Sequence, residues 1–161
     1  MISHSMSRLT LLALLVAGLV VWVPACGQEG NDAYKAIQGN WQPTEWTSDG
    51  EPRFKDDLKD RRLIFTGQEV RLVLRGFGEE DGQAKGFPIR LDPTKKPAHI
   101  DMTLPPGKGG KNGIVMVGIY ELERDTLKLC FADWPNDRRP TEFSAKAGSR
   151  HALIVLKRLS P

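Results

Sequence analysis

The sequence predicts an all-β fold, an antiparallel barrel of about eight strands with one short helix. Three observations carry this expectation. Short apolar segments recur along the chain with period-two alternation, the pattern of strands that bury one face. Glycine and proline, 16 and 11 of 161 residues, fall largely between those segments and mark turns. No stretch alternates strands with long helical patterns, which excludes the βαβ units of a parallel sheet. Closure into a barrel suits such a strand set because it leaves no unpaired edge.

The chain opens on an apolar run, Leu9–Val23, interrupted only by Thr10 and Gly18 and preceded by Arg8. At fifteen residues it is shorter than the roughly 20 a membrane-spanning helix needs. A basic flank, a short apolar core and a small residue at its end describe a secretory signal peptide. The end reads Val23-Pro24-Ala25-Cys26, which resembles the bacterial lipobox. That resemblance implies Cys26 as the lipid attachment site and first residue of the mature chain. By the enterobacterial sorting rule that goes with this resemblance, an aspartate at the next position would retain the protein in the inner membrane, so Gly27 implies the outer one. The other reading is an ordinary signal peptide cut nearby, with Cys26 incidental. The expected organisation is a lipoprotein signal peptide over residues 1–25, a polar tether over 26–36 and a β-barrel domain over 37–161.

The elements follow in order. Tyr34 to Gln38 reads as one helical turn, followed by Gly39-Asn40-Trp41 and a short extended piece ending at the turn Ser48-Asp49-Gly50. Phe54 to Arg62, with Phe54 and Leu58 four apart among mixed charges, suits the short amphipathic helix. Leu63 to Phe65 and Val70 to Arg75 are strands around a Thr66-Gly67 turn. Gly76 to Gly86 is a loop, and Phe87 to Leu91 a strand whose Pro88 suggests an edge or strand entry. Asp92 to Pro97 turns the chain into the alternating Ile100, Met102 and Leu104. Pro105 to Gly113 is a basic, glycine-rich loop. Gly118 to Phe131 is a hairpin in which Leu127, Leu129 and Phe131 alternate with Thr126, Lys128 and Cys130. Trp134 to Pro140 is a long turn, Phe143 starts a short strand, and Ala152 to Leu159 is an apolar C-terminal strand.

Composition narrows the function classes. Removing residues 1–25 takes away Arg8 alone, leaving 22 basic against 20 acidic residues in 136. That length supports one domain with a core, and the balance is too even to imply nucleic-acid binding. With Cys26 carrying lipid, Cys130 has no partner within the chain, so packing alone must hold the domain. Cys130 is expected on the same face as Lys128, as a small packed hydrophobe rather than a nucleophile.

Several stretches resemble an uncharacterised family of exported planctomycete domains described as lipocalin-like: Leu91-Asp-Pro-Thr-Lys-Lys-Pro97 with Ile100-Asp101, Gly118 to Leu122 with Asp125 to Phe131, and Arg139-Pro-Thr-Glu-Phe143. The turn Glu123-Arg124-Asp125 departs from that family, which often has glycine there. Gly39-Asn40-Trp41 also resembles the G-x-W opening of lipocalins (calycin-type barrels). That resemblance implies a structural pair that closes one barrel end, Trp41 packed against a basic residue near the last strand, here Arg158.

Little in the sequence announces chemistry. His99 and Asp101 share a strand face, but a metal site needs three or four ligands and His151 is the one other mature histidine. Gly107-Lys-Gly-Gly-Lys-Asn-Gly113 lacks the spacing of a phosphate-binding loop and precedes a strand, so no helix N-terminus faces an anion. Asp56, Asp57 and Asp60 alternate with Lys55, Lys59 and Arg61 as a solvated face. No catalytic residue, metal ligand or cofactor is expected. The sequence is read as a non-enzymatic, exported protein, lipid-anchored in the cell envelope, whose barrel binds a small apolar ligand. The alternative is a solid barrel whose loops, such as Gly76 to Gly86, bind an envelope protein.

Overall fold

A computed structural model of the chain describes residues 28–53, 58–73, 86–106, 113–134 and 137–160. The elements are helix α1 (Gln28–Ile37) and strands β1 (Gly39–Ser48), β2 (Glu51–Pro52), β3 (Arg62–Thr66), β4 (Glu69–Val73), β5 (Gly86–Asp92), β6 (Ala98–Leu104), β7 (Ile114–Glu123), β8 (Thr126–Ala132) and β9 (His151–Arg158). From β3 to β9 each strand pairs antiparallel with its neighbour in sequence. β1 pairs with β3 on one side and with β9 on the other, which closes an eight-stranded barrel. The two-residue β2 folds back on the end of β1. The chain is an all-β antiparallel barrel with one short helix.

Alternation in the strands becomes the inside and outside of the barrel. Leu63 and Phe65 on β3, Ile89 and Leu91 on β5, Leu127, Leu129 and Phe131 on β8, and Ile154 and Leu156 on β9 are all buried in one apolar cluster. Burying such side chains contributes about 1.5–3 kcal/mol each, the main favourable term in the absence of a disulfide. On β1 the register slips between Pro43 and Glu45. A bulge here accommodates Pro43, which has no N–H to give the ladder, and Thr44 donates its hydroxyl to the Val155 carbonyl at 3.2 Å.

Turn residues suit the turns they make. Asp49 and Gly50 both have positive φ, 49° and 86°, in a two-residue hairpin loop between β1 and β2, as a type I′ turn requires. A side chain at Gly50 would also meet the Ala147 backbone at 2.7 Å. At the β7–β8 turn, Arg124 takes φ 52°, a left-handed conformation that favours glycine.

Two elements differ from expectation. The helix among the described residues is not the one expected over Phe54 to Arg62, where Leu58–Asp60 forms a short 3-10 turn and residues 54–57 lie outside the described residues. It is α1, which occupies most of the stretch expected as a tether and begins the folded domain. Its last turn, Tyr34 to Ile37, coincides with the one helical turn expected there. Ala33, Tyr34 and Ile37 pack on the barrel core, and this docking supports the more polar turns before it. The second difference is Phe143, which starts no strand. Residues 137–150 are irregular and lie against the outer face of β6 to β8. Arg139 donates to the carbonyls of Gly118 at 2.5 Å and Ile100 at 3.2 Å and pairs with Asp101 at 2.6 Å. These bonds to carbonyl and carboxylate oxygens satisfy the segment without a ladder. The loops Gly76 to Gly86 and Pro105 to Gly113 fall mostly outside the described residues.

Candidate ligand cavity

The strand register gives the barrel two unlike ends. At one end lie Trp41, Leu127 and Arg158, the turns at Gly67 and Arg124, and α1. Gly39 has φ 112°, which lets the chain turn from α1 into β1 within two residues. The Trp41 side chain then points inward, completely buried, and its Nε1 donates to the Ile37 carbonyl at 2.8 Å. Arg158 stands over the indole with its guanidinium carbon 4.1 Å from the ring centroid. The same guanidinium donates to Gln38 O at 2.5 Å and Ala36 O at 2.8 Å, satisfying carbonyls at the C-terminus of α1 that have no partner within the helix. Gln38 ties this end to the β3–β4 turn: its side chain accepts from Gly67 N at 2.6 Å and donates to Gly67 O at 3.1 Å. Tyr34 donates to Ile89 O at 3.3 Å and accepts from Leu91 N at 3.0 Å, pinning α1 across the barrel. This end is shut.

From the middle of the barrel toward the other end runs a cavity of about 140 Å³. Its wall includes Leu63, Phe65, Ile100, Met102, Met116, Leu129 and Ile154, with Trp46 and Ala152 toward the far end of the β1–β9 seam. Asp133, just past the end of β8, is the only charged side chain lining it among the described residues. Ser48, itself buried, donates its hydroxyl to Asp133 Oδ2. Wider depressions at the Glu123–Thr126 turn and beside Arg138 and Arg150 are open and lined largely by charged and polar groups, so they offer no enclosure. A recessed, mainly apolar hollow with one convergent polar group is the usual form of a small-molecule site.

The remaining candidate residues lie elsewhere. Cys26 and residues 107–112 lie outside the described residues. His99 and Asp101 are on the outer face of β6 beside Arg139, while His151 begins β9 at the opposite end of the barrel. Burial, followed by the nearby Arg139 charge, pushes the His99 imidazole below its ordinary pKa of 6.5. Among the described residues no group of three or more His, Cys, Asp or Glu side chains could hold a metal ion, and no helix is long and apolar enough to cross a membrane. Cys130 faces outward with Lys128 but is covered by residues 137–150, its Sγ 3.5 Å from Ser144 O. Burial raises the pKa of this thiol, the opposite of what activates a nucleophile. Sequence reasoning missed Asp133. The available signal was the phase of β8, since Leu127, Leu129 and Phe131 point inward and Asp133 is next in the series.

No protein-family model, curated protein or solved structure matches this chain.

Proposed function

We propose that this chain is an exported, lipid-anchored, non-enzymatic barrel that binds a small, largely apolar molecule. The observation that carries the proposal is the cavity of about 140 Å³ inside the barrel, with thirteen of its fourteen lining residues apolar or aromatic. A dry apolar cavity of about 150 Å³ is large enough for a benzene-sized molecule. Unlike α1 and Trp41 at the shut end, the groups around the cavity leave space inside. The leader pattern and the resemblance to exported lipocalin-like planctomycete domains support the envelope setting.

Native mass spectrometry of protein purified from its own envelope tests the binding claim. A retained small molecule, lost when Ile154→Trp fills the cavity, is the expected result. A barrel that carries a stable protein partner and no small molecule would instead favour a loop-based interaction module. For the anchor, Cys26→Ser is expected to move the protein from the membrane to the soluble fraction, and unchanged fractionation overturns lipidation at Cys26.

A further inference from the structure

We propose that the cavity selects a small protonated amine, with its apolar body inside the barrel and its ammonium group on the Asp133 carboxylate. This inference rests on the reading of the cavity as a ligand site and names the chemical class that the site takes.

Asp133 continues the inward-facing series of β8, so its carboxyl group faces the same space as Phe131 and Ile154. Asp133 is half-buried, and a carboxylate that borders apolar surface gains from a counter-charge or further hydrogen bonds. The partner provided within the fold is neutral: Ser48 donates one hydrogen bond to Oδ2. Among the described residues no Lys, Arg or His makes an ion pair with Asp133. Ser48 therefore orients the carboxyl group without bringing a counter-charge to it.

The rest of the wall decides what kind of cation fits. Hydrocarbon and thioether side chains surround the volume, which excludes a hydrated metal ion and favours an organic body of roughly benzene size. The Trp46 indole lies in the same wall and adds apolar surface for that body. An anionic head would meet Asp133 at close range. A neutral hydroxyl could donate to the carboxylate, but without the charge assistance that makes an ammonium–carboxylate bond roughly twice as strong. The chain carries a formal net charge of +3, so selection for a cation comes from the placement of Asp133 and not from the overall charge.

The test uses the full chain in lipid nanodiscs and three probes of similar shape: benzylamine, benzyl alcohol and toluene. Titration calorimetry at pH 7, with empty nanodiscs subtracted, is expected to show benzylamine binding about tenfold more tightly than the other two. Asp133→Asn should remove that preference while benzyl alcohol and toluene still bind, and Asp133→Glu, which keeps the charge, should restore the order. Equal binding of all three probes to the unaltered protein, or an undiminished amine preference in Asp133→Asn, overturns the amine assignment and leaves the apolar site standing. If none of the three binds, the reading of the cavity as a ligand site fails, and the amine assignment with it.

Discussion

Arg158 and Trp41 face each other across the β1–β9 seam, with the guanidinium stacked on the indole at 4.1 Å. The guanidinium also holds the carbonyls of Ala36 and Gln38, so a single side chain joins ring, seam and helix. Arg158→Ala removes a cation–π contact and two charge-assisted bonds, and is expected to cost about 2–4 kcal/mol. Arg158→Lys keeps the charge but lacks the planar fork, so it should recover only part of that loss. Urea unfolding followed by tryptophan fluorescence measures both, and a change below about 0.5 kcal/mol in the alanine variant would show that the stacking is incidental.

Gly118 leaves room for an aromatic ring. A Cβ at this position would lie 2.5 Å from Phe131 Cδ1 and 2.7 Å from the Cys130 carbonyl. Gly118→Ala should therefore destabilise by about 1–3 kcal/mol through overpacking. Combining it with Phe131→Leu should show coupling, because one of the two clashes is removed while the backbone contact stays. Strict additivity in the double-mutant cycle would contradict this account.

At the β7–β8 turn the prediction runs the other way. Arg124 holds φ 52°, which costs a side-chain-bearing residue about 1–2 kcal/mol, while glycine brings an entropic cost of about 0.5–1 kcal/mol. Arg124→Gly is expected to raise the melting temperature by a few degrees, which corresponds to roughly 0.5 kcal/mol. A lower melting temperature would mean that the Arg124 side chain stabilises the turn.

The His99 imidazole has a pKa below 6.5 in the fold, chiefly because of burial and then because of Arg139, with Asp92 and Asp101 acting in the opposite direction. The unfolded chain then binds the proton more readily than the folded one. Stability is fully present above pH 6.5 and falls as pH drops from there toward the folded-state value. His99→Gln should flatten this part of the profile. Urea midpoints at pH 7.5 and pH 5 provide the measurement, and an equal fall in both proteins would exclude His99 as the cause.

Cys130 is completely buried, and its raised pKa further disfavours the thiolate. A thiol reagent at pH 7 should leave Cys130 unlabelled in the folded protein and modify it promptly in denaturant. Rapid labelling under native conditions would mean that residues 137–150 lift readily from the barrel.

Strands showed in the sequence because period two maps directly onto the two faces of a sheet, as Leu127, Leu129 and Phe131 illustrate. Helix α1 showed only in its last turn, Tyr34 to Gln38; its first turns did not, since Ala33, Tyr34 and Ile37 provide its apolar face and the barrel they dock on lies far along the chain. Residues 137–150 are held by contacts such as Arg139 to the Gly118 carbonyl, and irregular backbone has no period to detect. The cavity was hidden for a related reason. Alternation tells which side chains point inward, but whether they meet depends on how far across the barrel each one reaches. Asp133 was within reach of the pattern, one step beyond the last apolar member of β8.

The seam between β1 and β9 bears on how the chain reaches this structure. From β3 to β9 every pairing joins neighbours in sequence, so a curved ribbon of hairpins can assemble locally as the chain emerges. The bond from Arg158 to Gln38 spans 120 positions, and β1 must wait for β9 before its second edge is covered. Loop-closure entropy makes such distant contacts late in folding. Until that moment the two outer strands of the ribbon offer open backbone to any other strand. A chain cut short before β9 would keep that exposure, and its expected fate is self-association rather than a looser monomer.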